Sequence, residues 1–132
     1  MKRVTGLGGV FFKSKSPKDL MAWYQKHLGI EAETWGGKIF QWRDKDNPES
    51  IGITVFNPFQ EDTKHFAPSA EPYMFNFRVD DLDALFAELK KEGVQVVGEV
   101  QVAPGEGKFG WIMDPEGRKI ELWEPEAKQE VT

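Results

Sequence analysis

The chain has 132 residues, with 17 Lys and Arg against 22 Asp and Glu, a net charge of −5, 39% hydrophobic residues and no cysteine. A chain this long makes one domain, or one domain of two similar halves, and buries about two-thirds of its unfolded surface. The acidic balance, with no run of Lys or Arg beyond two, argues against duplex nucleic acid or an anionic membrane as partner; the missing cysteines exclude disulfides, zinc–thiolate sites, thiol nucleophiles and Cys-ligated iron–sulfur clusters.

The start, Met1-Lys2-Arg3-Val4-Thr5-Gly6, leads into glycines and not into the apolar stretch of a secretory signal. No segment reaches the roughly 18 uninterrupted apolar residues of a membrane span, so a cytoplasmic protein is expected. Val10, Phe12 and Ser14 alternate with Gly9, Phe11 and Lys13, which is a strand with one face packed. Ser16 and Pro17 then open a helix whose face is Leu20, Trp23, Tyr24, His27 and Leu28, and Gly29 stops it. Short strands are predicted over Lys38 to Trp42 and Ile51 to Phe56. The stretch 57–73, with Pro and Phe but neither periodicity, reads as a loop that covers a site.

The pattern then repeats. Phe75, Phe77 and Val79 alternate with Met74, Asn76 and Arg78; Asp81 caps a helix with Leu82, Leu85, Phe86 and Leu89 on one face, and Gly93 stops it. Ser16 and Asp81 are 65 residues apart and Gly29 and Gly93 are 64 apart, so the halves keep register through the helix. Strands follow over Gln95 to Val102, Phe109 to Met113 and Lys119 to Glu124, separated by Pro104-Gly105-Glu106-Gly107 and by Asp114-Pro115-Glu116-Gly117, whose proline suits the second position of a type I turn. The expected fold class is α+β: residues 1–132 form a single domain of two tandem βαβββ modules, 4–56 and 74–125, joined by the loop 57–73.

This repeat, together with Trp23-Tyr24 before Leu28-Gly29-Ile30, the phrase Phe77-Arg78-Val79-Asp80-Asp81-Leu82-Asp83 and the phrase Asp114-Pro115-Glu116-Gly117-Arg118-Lys119-Ile120-Glu121-Leu122, resembles the vicinal oxygen chelate superfamily, which includes glyoxalase, bleomycin-resistance and extradiol dioxygenase proteins. The resemblance runs from about Val4 to Pro125. It implies that the modules form a cupped mixed sheet enclosing one site, often within a homodimer. It also implies four metal-ligand positions, one in the first and one in the last strand of each module. Those positions fall on Gly9, on Met74, on Ile53 or its neighbours Gly52 and Thr54, and on Glu121, so Glu121 alone matches. Zinc, iron and manganese sites want three imidazole or carboxylate ligands, and no metal or other cofactor is therefore expected.

Several residues are candidates for the site. Glu121 shares a strand face with Lys119 and Trp123; it is either a general base or a carboxylate paired with Lys or Arg. Lys13 and Arg78 are equivalent in the repeat and would either project into one cavity to bind an anionic group or pair with acidic neighbours. Aromatic residues make up 13% of the chain, including 5 Trp. Trp42, Trp111 and Trp123, with Met74 and Asn76, are candidate walls of a binding cup, or else core, where Trp23 is expected. His27 suits a helix C-terminus. His65, in the connecting loop, is a candidate ligand-binding group or a plain loop histidine.

The reading that follows is a metal-independent member of that group, binding a small aromatic or anionic molecule. Its rivals are a lyase or isomerase using Glu121 as base or as residual divalent-metal ligand, and a dimerisation module without a ligand.

Overall fold

The computed structural model describes residues 3–126; of the stretch examined for a secretory signal, Met1 and Lys2 lie outside them. The elements in order are β1 (Val4–Ser14), α1 (Pro17–Leu28), β2 (Lys38–Arg43), β3 (Ile51–Gln60), β4 (Tyr73–Val79), α2 (Leu82–Lys91), β5 (Val96–Ala103), β6 (Gly107–Met113) and β7 (Lys119–Pro125). All strands join one mixed sheet in the order β2-β3-β1-β4-β7-β6-β5. The centre is the antiparallel pair β1/β4, flanked by the parallel pairs β1/β3 and β4/β7. Each half thus repeats the other about the middle of the sheet, and the expected α+β class with a cupped mixed sheet is the observed one.

The second half contributes four strands and the first half three. Residues 30–37, where the counterpart of β5 would lie, form a tight turn. Glu33 N–H donates to the Gly37 carbonyl at 2.7 Å, Gly36 N–H to the Glu33 carbonyl at 3.0 Å, and the Glu33 carboxylate accepts the Ile39 N–H at 3.2 Å. These bonds turn the chain on itself, so it offers no extended edge. β3 also runs further than expected, to Gln60, so the connection spans residues 61–72. Pro58 is tolerated in it because β2 ends its pairing at Phe56, which leaves the proline's missing N–H on an open edge.

α2 closes the main core. Its Leu82, Leu85 and Phe86 are buried against Val79, Ile120 and Leu122, each such side chain stabilising the fold by roughly 1.5–3 kcal/mol. The start of this helix is capped twice: the Asp81 carboxylate accepts the Ala84 N–H at 3.1 Å, and the Glu124 carboxylate accepts the Leu82 N–H at 2.9 Å. Gly110 lies directly beneath the Phe86 ring, where a Cβ would collide with it.

α1 departs from the sequence reading. Its buried residue is Met21, with Tyr24 half-buried edge-on to Phe56 at 5.3 Å, so Trp23 stays 51% exposed instead of joining the core. The contact stripe therefore runs through Met21 and Tyr24 and leaves Trp23 beside it. Its N-terminus lacks the expected Ser16 side-chain cap; the Ser14 hydroxyl accepts the Ser16 N–H at 3.2 Å instead. Gly29 ends the helix in the left-handed conformation at φ 70°, which glycine adopts without steric cost. No helix among the described residues is long and apolar enough to cross a membrane.

Candidate functional site

Strand register sets one row of residues across the whole sheet. Ile39 pairs with Val55, Val55 with Gly9, Gly9 with Asn76, Asn76 with Glu121, Glu121 with Trp111 and Trp111 with Val97. Glu121 therefore sits between an amide on one neighbouring strand and an indole on the other. Asn76 Nδ2 donates to Glu121 Oε1 at 2.6 Å and Trp111 Nε1 donates to Oε2 at 2.9 Å. His65 Nε2 lies 3.1 Å from the same Oε2. Glu121 is only 4% exposed and Asn76 1%, so the carboxylate's lost hydration is replaced by N–H groups fixed by the sheet.

His65 arrives from the 61–72 connection. Phe66, fully buried beside Phe11, Met74 and Trp111, anchors that segment. Lys119 Nζ donates to the His65 carbonyl at 2.7 Å. The imidazole stacks parallel to the Phe59 ring at 5.6 Å. Burial lowers the Lys119 pKa, and nearby Glu121 opposes that shift.

Glu121, Asn76, Trp111 and His65 form the floor of a cavity of about 650 Å³. Phe11, Trp35, Phe59, Phe109, Trp111 and Trp123 supply aromatic walls, Ile39, Ile53 and Val55 aliphatic ones, and Gly8, Asn57, Gln101 and Glu106 complete the lining with His65, Asn76 and Glu121. Phe109 and Trp123 stack at 5.9 Å with their planes 4° apart, making one continuous wall.

Five sequence candidates meet in this cavity: Glu121, Asn76, His65, Trp111 and Trp123. Four do not line it. Met74 is buried in the cluster around Phe66, two residues short of the cross-strand row, in which β4 is represented by Asn76. Trp42 lies over Gly6 and Gly52, where no side chain intervenes, and its Nε1 donates to the Thr54 hydroxyl at 2.8 Å. Arg78 is buried between Trp42 and Trp123, its guanidinium carbon 5.5 and 5.2 Å from the two ring centres; burial lowers its pKa, and Asp80 opposes that. Lys13 lies at the far end of β1, its ammonium 6.0 Å from the Phe66 ring. Because β1 and β4 are antiparallel, Arg78 pairs with Gly6 near the start of β1, so the expected meeting of Lys13 and Arg78 in one cavity does not occur.

Trp35, Phe59 and Glu106 are among the lining residues that the sequence reading does not put forward for the site. Trp35 and Glu106 lie in turns without periodicity. Phe59 carries a signal that is easily missed, the alternation Ile53, Val55, Asn57, Phe59 along one face of β3.

The donor set does not fit the metal that the family resemblance implies. Among the described residues no three His, Cys, Asp or Glu side chains come together. Both oxygens of Glu121 face N–H donors, and the Trp111 indole can only donate. One carboxylate hydrogen-bonded to the only nearby imidazole leaves too few ligands for zinc, iron or manganese.

Gly8 is a sharp test of this floor. It sits at an irregularity in the β1/β4 register, and a Cβ there would run into Asn76 Oδ1 and come within 3.0 Å of Arg78 Cγ and 3.1 Å of Trp123 Cε3. Gly8→Ala is expected to cost about 1–3 kcal/mol through overpacking and to displace Asn76 from Glu121. Thermal unfolding checks the first part, and an unchanged midpoint would show that the floor is looser than its geometry.

Comparison with known proteins bears on the fold and the family. The model of the Glyoxalase/Bleomycin resistance protein/Dioxygenase superfamily matches residues 10–122. A search of curated proteins returns no match. Among solved structures, methylmalonyl-CoA epimerase from Mycobacterium tuberculosis is similar with a TM-score of 0.61 and 22% identity, over 100% of this chain and 95% of that one. A Streptomyces coelicolor methylmalonyl-CoA epimerase variant in complex with 2-nitronate-propionyl-CoA gives 0.66 and 17%, over 92% and 98%. The 2,3-dioxygenase LapB from Pseudomonas sp. KL28 gives 0.58 and 18%, over 95% of this chain and 42% of that one.

Proposed function

Because this chain belongs to the Glyoxalase/Bleomycin resistance protein/Dioxygenase superfamily, we propose that its cup binds a small planar organic molecule without a metal ion. The observation that carries this reading is the cavity itself: about 650 Å³, six aromatic side chains, and a floor whose carboxylate is already met by N–H donors. That volume lies within the range of small-molecule sites, and flat apolar walls with a few fixed polar groups are how such sites orient a ring. The anionic ligand considered from Lys13 and Arg78 loses its support, since neither cation lines the cup. Two measurements test the proposal. Elemental analysis of protein purified without chelator is expected to show no stoichiometric divalent ion, and a tightly held one would overturn the metal-free half. Titration with planar aromatic compounds is expected to quench Trp111 and Trp123 fluorescence, and silence by fluorescence and calorimetry across such a panel would overturn the binding half.

A second reading has an observation of its own, the contact between Glu121 and His65. When the carboxylate accepts from Nε2–H, the neutral imidazole keeps an unprotonated Nδ1, the arrangement of an oriented general base. Such a base would remove a proton next to a carbonyl, as a lyase or isomerase requires. Glu121, with its oxygens already occupied, would orient the base more than act as one. His65→Asn is then expected to abolish turnover and leave binding in place.

A further inference from the structure

We propose that the cup selects organic cations, with the Glu106 carboxylate as counter-charge; this rests on the reading of the cup as a ligand site. Glu106 lines the cavity from the turn between β5 and β6. Its backbone is fixed: the carbonyl accepts the Trp123 Nε1–H at 2.8 Å, and its N–H donates to the Ala103 carbonyl at 3.0 Å. Its side chain is exposed, and among the described residues it makes no ion pair or hydrogen bond. Glu106 thus stands at the cavity beside the stacked Phe109 and Trp123 wall, its carboxylate unpaired among the described residues.

The charges around it favour the same ligand class. No Lys or Arg is among the lining residues. The two nearest buried cations are committed elsewhere. Lys119 Nζ bonds the His65 carbonyl, and Arg78 is wedged between Trp42 and Trp123. Glu121 on the floor offsets Lys119 beside it. Of the two carboxylates that line the cup, Glu121 is already hydrogen-bonded, so an entering molecule meets Glu106, next to electron-rich ring faces that attract ammonium, guanidinium and protonated heteroaromatic groups. A carboxylate or phosphate in the same place would find no opposite charge to replace its hydration. The net charge of −5 adds a longer-range attraction of the same sign.

Three probes of one shape separate this inference from the reading beneath it: naphthylmethylammonium, naphthylmethanol and naphthoate, titrated calorimetrically at low salt. The ammonium is expected to bind about tenfold more tightly than the alcohol, and the naphthoate more weakly than either. Glu106→Gln is expected to lower the ammonium-to-alcohol ratio several-fold, to the part that the ring faces supply, whereas Glu49→Gln, which removes the same charge from the exposed turn between β2 and β3, keeps the ratio. Equal affinity for ammonium and alcohol in the unaltered protein, or a ratio insensitive to Glu106→Gln, overturns the cation selectivity and leaves the cup a binding site. Binding of none of the three overturns both.

Discussion

Glu121→Ala is expected to lower the free energy of unfolding by about 3 kcal/mol, with a fall in Tm of roughly 10 °C. The loss does not come from a vanished ion pair at the surface. Asn76 Nδ2 and Trp111 Nε1 are buried donors aimed at the two carboxylate oxygens, and alanine leaves both without an acceptor. An unmet buried donor costs about 1–3 kcal/mol, and the sheet register prevents either group from turning toward water. His65, partly exposed, loses only its alignment. Glu121→Gln is milder, because the amide keeps one acceptor oxygen and the Asn76 amide can turn its Oδ1 toward the new NH2 group. The network interpretation is checked with Trp111→Phe, which removes one donor. Combined with Glu121→Ala it is expected to cost less than the two single changes together, since the indole no longer has an acceptor to lose. Strict additivity in urea unfolding would show that Trp111 and Glu121 act independently.

The sequence carries the helices more clearly than the sheet, and the sheet more clearly than the site. Asp81, the Leu82-Leu85-Phe86 stripe and Gly93 encode α2 locally, through capping, a 3.6-residue period and a stop. For α1 the same signals place the helix correctly but not its rotation. Whether Trp23 or Met21 turns inward depends on which sheet residues meet it, and that information lies in distant segments. The repeat offset identifies Lys13 and Arg78 as equivalent, but equivalence about an antiparallel β1/β4 pair puts them at opposite ends of the strands. The central contact of the site has the same origin. Asn76 and Glu121 are neighbours because β4 and β7 pair in parallel with that register, and a crossover pairing leaves no local mark. Residue type and strand face are legible from alternation; strand order and register are what convert them into a network.

Phe66→Ala is expected to cost about 3–5 kcal/mol and to detach His65 from Glu121. Phe66 is 0% exposed, with its ring 5.3 Å from Phe59 and in a cluster with Phe11, Met74 and Trp111, so truncation opens a cavity that the surrounding strands cannot close. The second effect follows from chain connectivity. The 61–72 segment is held by the Phe66 ring, by the Lys119 bond to the His65 carbonyl and by local turns such as Ala67 N–H to Lys64 and Ser69 N–H to Phe66. The local turns move with the segment and do not tie it to the sheet. Without the ring, the Lys119 bond, the His65 contact with Glu121 and, at the segment's end, the Lys13 N–H bond to the Pro72 carbonyl must hold the segment while its backbone gains conformational freedom. Phe66→Leu keeps most of the buried volume and is expected to cost about 1.5 kcal/mol or less while His65 stays in place. Urea unfolding measures the stability of both variants, and the His65 ring nitrogen resonances report its contact with Glu121. If alanine at this position left those resonances unchanged, the Lys119 tether and the stacking on Phe59 would be sufficient to hold His65, and the segment's anchoring would have to be assigned to them.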